Sequence, residues 1–361
     1  MPKAAVYQGA NKEFEIREFP LTKPQKDMAL LRLVASGVCG TDLHILNGKL
    51  GIEPPKVIGH EFVGEVVELG SESDTLNVGD NVIATIAVPC EECLLCKTGD
   101  DANCVNMGVT NGGNPYDEPH FWGGFGEYNY SPIKNLVKIP KSINPKTASV
   151  FACAGSTVIH AFSLAKRANV DLKNLKTCVV QGLGPVGMFA VAYLASLKVE
   201  NVIAITGREN KKREELAKSF GSTKIFSLEK NTFEEIDGYI KSVSGGLGAD
   251  LAVEASGNKD AFLQGIDMLR NRGVYLVPGQ YSNSGTIPLP PQVITFKALH
   301  IIGSSQYSAV DIEEYVKFLE ENRDLHPVID SMITEYLLSD INKAFENAKQ
   351  GKNVKTILVG G

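Results

Sequence analysis

The sequence lacks any strong charge bias. Its 36 Lys and Arg against 42 Asp and Glu leave a net charge of -6, which excludes the basic footprint of a nucleic-acid or anionic-membrane binder. It also lacks an apolar run long enough to span a bilayer. Met1-Pro2-Lys3-Ala4 leads towards a strand and not into the apolar core of an export signal. No internal repeat or low-complexity linker is visible. Cysteine is sparse and odd in number, seven residues of which only one group is dense, so a disulfide framework fits poorly and a reducing compartment, the cytoplasm, is expected. What remains, 43% hydrophobic and 22% charged residues over 361 positions, is ordinary for a globular enzyme of two domains.

The dense group is Cys90, Cys93, Cys96 and Cys104, spaced C-x2-C-x2-C-x7-C. Thiolates are soft, charged ligands, and four of them at this reach close a tetrahedral shell around zinc. Four protein ligands leave no open position, so the metal here is structural and the chemistry lies elsewhere. The residues between, Gly99, Asp100, Asp101, Ala102 and Asn103, read as an exposed loop.

Along the chain the texture changes once. The first part reads as short strands, Met28–Val34, Phe62–Leu69 and Asn81–Val88, punctuated by Gly70, Gly79 and Pro89. From about Pro145–Ala148 onwards helices and strands alternate: helices over Cys153–Leu172, Val186–Leu197, Lys211–Phe220 and Ala261–Leu269, strands over Thr177–Gln181, Val202–Thr206, Asp250–Glu254 and Gly273–Val277. This alternation predicts a parallel sheet in an α/β domain. Helical stretches at Ile312–Glu321 and Ser339–Gln350 and a strand at Thr356–Val359 end the chain.

Val179-Val180-Gln181 runs into Gly182-Leu183-Gly184-Pro185-Val186-Gly187, a G-x-G-x-x-G after a strand and before a helix. Gly182 makes the tight turn, Gly184 lets the backbone approach a pyrophosphate, and Gly187 permits close helix–strand packing. The next strand ends in Thr206-Gly207-Arg208 without the acid that takes the ribose 2′-hydroxyl of NAD. Arg208, with Lys211, Lys212 and Arg213 behind it, favours NADP, although Glu209 is also within reach of a ribose.

Two further candidate ligands stand in Gly-flanked loops beside acids: Cys39 in Val38-Cys39-Gly40-Thr41-Asp42 and His60 in Gly59-His60-Glu61. Cys153 stands in Ala152-Cys153-Ala154-Gly155-Ser156-Thr157. Taken together with Gly303-Ser304-Ser305, Ile341-Asn342-Lys343-Ala344-Phe345 and Val354-Lys355-Thr356, these motifs resemble, over nearly the whole length, the zinc-dependent medium-chain dehydrogenase/reductase family of alcohol and polyol dehydrogenases.

The resemblance implies a Rossmann doubly wound parallel sheet at about 154–303 and a mostly β, GroES-like catalytic domain at 1–153 and 304–361, with a zinc lobe at about 89–105. It implies a catalytic zinc on Cys39, His60 and Cys153, with Glu61 as an exchanging ligand, and two zinc ions per chain in all. Thr41 would take the proton of the alcohol, His44 would relay it, Asp42 would orient a ligand, and Thr157 and Val186 would lie near the nicotinamide. Cofactor contacts fall to Gly182, Gly184, Val186, Gly187, Thr206, Gly207, Arg208 and Thr157. Polyol and threonine branches carry Glu where this chain has Cys153, so its pattern follows the alcohol dehydrogenases. The expected activity is reversible hydride transfer between a secondary alcohol, polyol or sugar and NAD(P), in a homo-dimer or homo-tetramer. Two alternatives are a zinc-free reductase of the same superfamily, which has no use for these ligands, and a non-catalytic NADP-binding protein, which has no use for Thr41 and His44. The polar and aromatic stretch Asn111–Trp122 is either a substrate mouth or a plain lobe loop, and Ile86 and Tyr307 are candidate pocket walls.

Overall fold

The computed structural model describes residues 1–280, 282–283 and 285–361. The chain forms two compact units, Met1–Ser156 with Gln306–Gly361, and Thr157–Ser305. The fold is α/β, with a parallel-sheet unit and a sheet-rich unit.

In the second unit six parallel strands lie in the order Lys224–Ser227, Asn201–Thr206, Thr177–Gln181, Ala249–Glu254, Leu269–Val277 and His300–Gly303. Strand Thr177–Gln181 is buried along its whole length, as a strand covered on both faces must be, and its middle, Cys178-Val179-Val180, is correspondingly apolar. The chain winds outwards from it in one direction and then, at Ala249–Glu254, in the other. That reversal opens a crevice at the carboxyl ends of the two central strands. Helix Pro185–Ser196 starts on Gly184 with Pro185 in its first turn, where a missing N–H costs nothing. Its packed face, Met188, Phe189, Val191 and Leu194, is buried, each such side chain contributing about 1.5–3 kcal/mol of burial.

The first unit is built on a seven-stranded sheet. Its path runs Ile333–Leu337, Lys355–Val359, Met28–Val38, Phe62–Leu69, Asn81–Ala84 and Leu136–Lys138, and Tyr128–Pro132 also pairs with Met28–Val38. The pairing is antiparallel except between the two C-terminal strands. An aromatic core of Tyr7, Phe14, Phe121, Phe125 and Phe345 fills one side.

Several elements differ from the sequence expectation. The helix expected to Leu172 is Ala154–Arg167; Asn169 adopts φ 55° and Val170 N–H returns to the Ala165 carbonyl, a left-handed C-terminal stop. The expected strand Asn81–Val88 breaks into Asn81–Ala84 and Ala87–Val88, because the Asn135 side chain takes the carbonyls of Thr85 and Ala87. The Gly99–Asn103 stretch is not a plain exposed loop: Asp101–Asn103 is a 3-10 turn with Ala102 buried. Leu269 opens a strand instead of ending a helix. Strands Lys224–Ser227 and His300–Gly303, and helices Gly40–Leu46 and Phe233–Val243, had no sequence expectation.

Candidate active site and metal centres

Two groups of side chains have ligand atoms that all lie within 4.8 Å of one another: Cys90, Cys93, Cys96 and Cys104, and Cys39, His60, Glu61 and Cys153. All seven cysteines are free thiols.

The first group is made by one loop. Cys93 Sγ lies 3.5 Å from Cys96 Sγ and 4.0 Å from Cys104 Sγ, and Cys90 Sγ lies 4.0 Å from Cys96 Sγ. A tetrahedron of Zn–S bonds of about 2.3 Å has edges of about 3.8 Å, so the sulfurs fit a zinc ion. Backbone amides point at them: Cys90 N–H donates to Cys104 Sγ, Cys93 N–H to Cys90 Sγ, and Asn106 N–H to Cys104 Sγ. The amides of Cys96 and Val105 bring Cys93 down to about 6. Burial and the neighbouring Cys93 thiol lift Cys96 to about 12. One thiol is ionised at the expense of another, as crowding of like groups requires.

The second group is assembled from distant segments. Cys39 precedes helix Gly40–Leu46, and its N–H donates to Asp42 Oδ2 at 2.9 Å. The other Asp42 oxygen faces His60 Nδ1 at 3.3 Å, so one buried carboxylate holds both ligands. This contact engages Nδ1 and leaves the other ring nitrogen for a metal. Gly59 has φ 98°, and a Cβ there would meet the Phe125 ring at 2.7 Å, so only glycine turns the chain into His60. Cys153 ends the turn before Ala154–Arg167.

Glu61 is 1% exposed and pairs with the equally buried ammonium of Lys355. Gly37 makes room for it: a Cβ there would stand 1.8 Å from Glu61 Oε2 and 3.0 Å from Lys355 Cε. Burial lifts the Glu61 carboxyl to about 7, against the pull of Lys355. Lys355 itself is raised, because Glu61 and Cys39 outweigh its burial. Cys39 is held well below the usual thiol range, first by its hydrogen bond with Cys153, which rises in turn. His60 is raised despite burial, by Asp42 and Cys39. Two soft thiols, an imidazole and a carboxylate form a donor set that fits zinc.

Thr41 Oγ1 lies 3.8 Å from Cys39 Sγ. His44 is one turn further on the same helix, its Nδ1 buried without a partner among the described residues. Burial and Lys49 push its pKa down. The Asn111–Trp122 stretch is anchored beside His60: Asn111 Nδ2 donates to the Gly59 carbonyl, and His120 stacks on Phe19 at 5.2 Å. Ile86 takes part through its carbonyl, which accepts from Thr110 N–H.

In the nucleotide crevice, Gly182 has φ 97° and a Cβ would strike the Ser256 backbone at 2.8 Å. A Cβ on Gly187 would lie 1.8 Å from the Gly182 carbonyl, whereas one on Gly184 would meet nothing within 4 Å. Thr206 Oγ1 donates to the Arg208 carbonyl. Glu209 pairs with Lys230 at 2.7 Å, and Arg208, beside the strand end, is exposed. Arg213 Nη1 donates to the Leu183 carbonyl inside the fingerprint turn. Thr157 is buried at the start of its helix and Val186 half-buried in the first turn of the next.

Sequence reasoning assigned no role to Lys355 and treated Tyr307 only as a wall. Lys355 carries a signal after all, a lone charge inside the apolar strand Lys355–Val359. Tyr307 is buried, its hydroxyl against Cys153 with His60 and Glu61 close by, and its pKa is raised, first by burial. No sequence signal marks that contact.

The alcohol dehydrogenase GroES-like domain family matches residues 25–141 and the zinc-binding dehydrogenase family residues 185–321. The chain is 29% identical to 5-exo-hydroxycamphor dehydrogenase of Pseudomonas putida, over 99% of this chain and 98% of that one. It is 31% identical to D-xylulose reductase A of Aspergillus oryzae, over 98% and 96%. An alcohol dehydrogenase of Thermotoga maritima superposes with a TM-score of 0.92 at 27% identity, covering 100% of this chain and 99% of that one. The chain thus belongs to the zinc-dependent medium-chain dehydrogenase/reductase family, and it is an NAD(P)-dependent oxidoreductase of alcohols.

Proposed function

We propose that Cys39, His60 and Cys153 hold a catalytic zinc, with Glu61 as the exchanging fourth ligand, and that Cys90, Cys93, Cys96 and Cys104 hold a structural one. The convergence of Cys39, His60, Glu61 and Cys153, all with ligand atoms within 4.8 Å, carries this reading. When bound, zinc supplies Lewis acidity that lowers an alcohol's pKa, and the nicotinamide supplies the hydride acceptor.

The chain's own residues do the rest. Asp42 fixes the His60 ring. Lys355 draws the Glu61 carboxylate to its side. Thr41 Oγ1, beside Cys39, receives the alcohol proton and His44 passes it on; a depressed pKa keeps His44 neutral and able to accept. This reading assigns the chemistry to residues 1–153 and 304–361 and cofactor binding to 154–303, through Gly182, Gly184, Val186, Gly187, Thr206, Gly207, Arg208 and Thr157.

NADP is the preferred cofactor. The pairing of Glu209 with Lys230 and the exposure of Arg208 support it. The substrate is a secondary alcohol, polyol or sugar, with the Asn111–Trp122 stretch at the mouth of its pocket; the relatives named for a hydroxycamphor and a xylulose support that range. The family resemblance supports a homo-dimer or homo-tetramer, and the sparse, odd cysteines support the cytoplasm; among the described residues no helix is long and apolar enough to cross a membrane.

Metal analysis should find two zinc per chain, and a panel of alcohols and sugars should produce alcohol-dependent growth of nicotinamide absorbance. Removal of the weaker-held metal with turnover unchanged contradicts the catalytic assignment. Arg208→Asp should weaken NADP relative to NAD, and an unchanged preference contradicts the 2′-phosphate reading.

A further inference from the structure

The geometry points to Glu254 as a positioning residue for the nicotinamide half of the cofactor, acting through the Ser256–Gly257 wall of the crevice. Glu254 ends the strand Ala249–Glu254, on the far side of the reversal from the fingerprint turn. In doubly wound sheets the fingerprint side serves the adenosine half and the pyrophosphate, and the strands across the switch point serve the other half. The inference therefore rests on the reading of this crevice as the cofactor site.

Glu254 is 0% exposed. Its Oε1 accepts three donors from the wall: Ser256 N–H at 2.8 Å, Ser256 Oγ at 2.5 Å and Gly257 N–H at 3.0 Å. Ser256 Oγ in turn accepts from Asn258 N–H at 3.1 Å. The wall so held is the surface that presses on the fingerprint turn, since the Ser256 Cα and N stand 2.8 Å from where a Gly182 Cβ would be. The next strand end packs against the same residue. Gly279 N–H donates to the Glu254 carbonyl at 2.9 Å, and a Cβ on Gly279 would stand 2.4 Å from Glu254 Oε2. Gln280 then ties back to the Asn258 carbonyl.

The second oxygen, Oε2, is buried without a hydrogen-bond partner among the described residues. Core filling alone does not account for that, because an apolar side chain would fill the space and leave no polar atom without a partner. Burial raises the Glu254 pKa, against the Ser256 and Gly257 donors and the Gln280 side chain. An acidic group kept here at this cost fixes the Ser256–Gly257 wall of the crevice. Glu254 is a positioning residue and acts through that wall.

The test uses zinc-loaded full-length enzyme, titrated with NADPH and with adenosine 2′,5′-bisphosphate, a probe of the adenosine half alone (NADH and 5′-AMP if NAD is preferred). Glu254→Ala should weaken the dinucleotide on the order of ten- to a hundredfold while leaving the half-molecule unchanged. Glu254→Gln, which keeps the Oε1 acceptor, should recover most of the loss. Ser256→Ala, a milder change for a case in which Glu254→Ala does not fold, should weaken the dinucleotide several-fold and spare the half-molecule. Equal weakening of both probes, or of neither, overturns the inference. Gly184→Asp separates the two readings: its Cβ has open space, so it should fold and repel both probes through their phosphates. If Gly184→Asp binds both normally, the cofactor site itself is misplaced. If it binds neither while the Glu254 variants bind like wild type, only the role of Glu254 is wrong.

Discussion

The two thiol-bearing centres hold their ligand atoms equally close, within 4.8 Å in each, yet they are built in opposite ways. The lobe centre spans Cys90 to Cys104, and backbone amides of the same loop orient its sulfurs. The other gathers Cys39, His60, Glu61 and Cys153 onto one side of a sheet unit, and buried charges orient them: Asp42 across Cys39 and His60, Lys355 against Glu61. A single loop can close a shell of four equal ligands without help. A centre that must keep one position exchangeable needs unlike ligands, and each then needs its own support from distant residues.

The comparison breaks most sharply if a ligand of one centre is removed. Cys39→Ala should cost a thousandfold or more in kcat, on the order of the several kcal/mol that a metal contributes to the transition state, with the thermal midpoint little changed. Cys93→Ala should do the reverse. It should lose one zinc and several kcal/mol of local stability in the lobe, read by limited proteolysis, while the remaining folded enzyme keeps its kcat. Equal effects of the two variants on kcat would erase the distinction.

Lys355→Met tests the charged support. It leaves Glu61 buried and unpaired, so unfolding should become easier by about 3–5 kcal/mol, and the double variant with Glu61→Gln should regain a good part of that. A double variant no more stable than the single one would mean that the pair does not act as a unit.

The smallest expected effect lies away from both centres, at Asp250. Its carboxylate accepts from Lys176 N–H, Thr177 N–H and Arg270 Nε. Burial raises its pKa, but those donors outweigh burial and hold it below its ordinary 3.8. A depressed folded pKa gives stability that is present above the unfolded value and lost as pH falls through the folded one. Asp250→Asn should therefore cost about 1–3 kcal/mol at neutral pH, and the gap from wild type should close below about pH 4, with kcat unaffected at every pH. A gap that widens in acid contradicts this.

The sequence made some of this legible and left the rest hidden, for physical reasons. Local constellations read well: the four-cysteine spacing, and the fingerprint between a buried strand and a Pro-started helix, where Gly182 and Gly187 meet the close contacts their positions imply. Cys39, His60 and Cys153 carry no spacing signal, since more than a hundred positions separate the first from the last, and only family resemblance joined them. Glu61 and Lys355 are 294 positions apart, so their pairing is a property of the sheet Met28–Val38 shares with Lys355–Val359. Short edge strands such as Lys224–Ser227 and His300–Gly303 escaped because four residues are too few to show a clear period. Helix Phe233–Val243 was hidden by its polar start, although Thr232 and Glu235 form a capping box.

The central claim is that one centre is all sulfur and the other mixed. Zinc-edge X-ray absorption on the Cys93→Ala protein, which should hold zinc only at the second centre, tests it most directly. The account predicts two sulfurs at about 2.3 Å and one nitrogen at about 2.0–2.1 Å, the remainder oxygen, in a protein that still turns over. A shell of four sulfurs, or full turnover with no zinc bound, contradicts it.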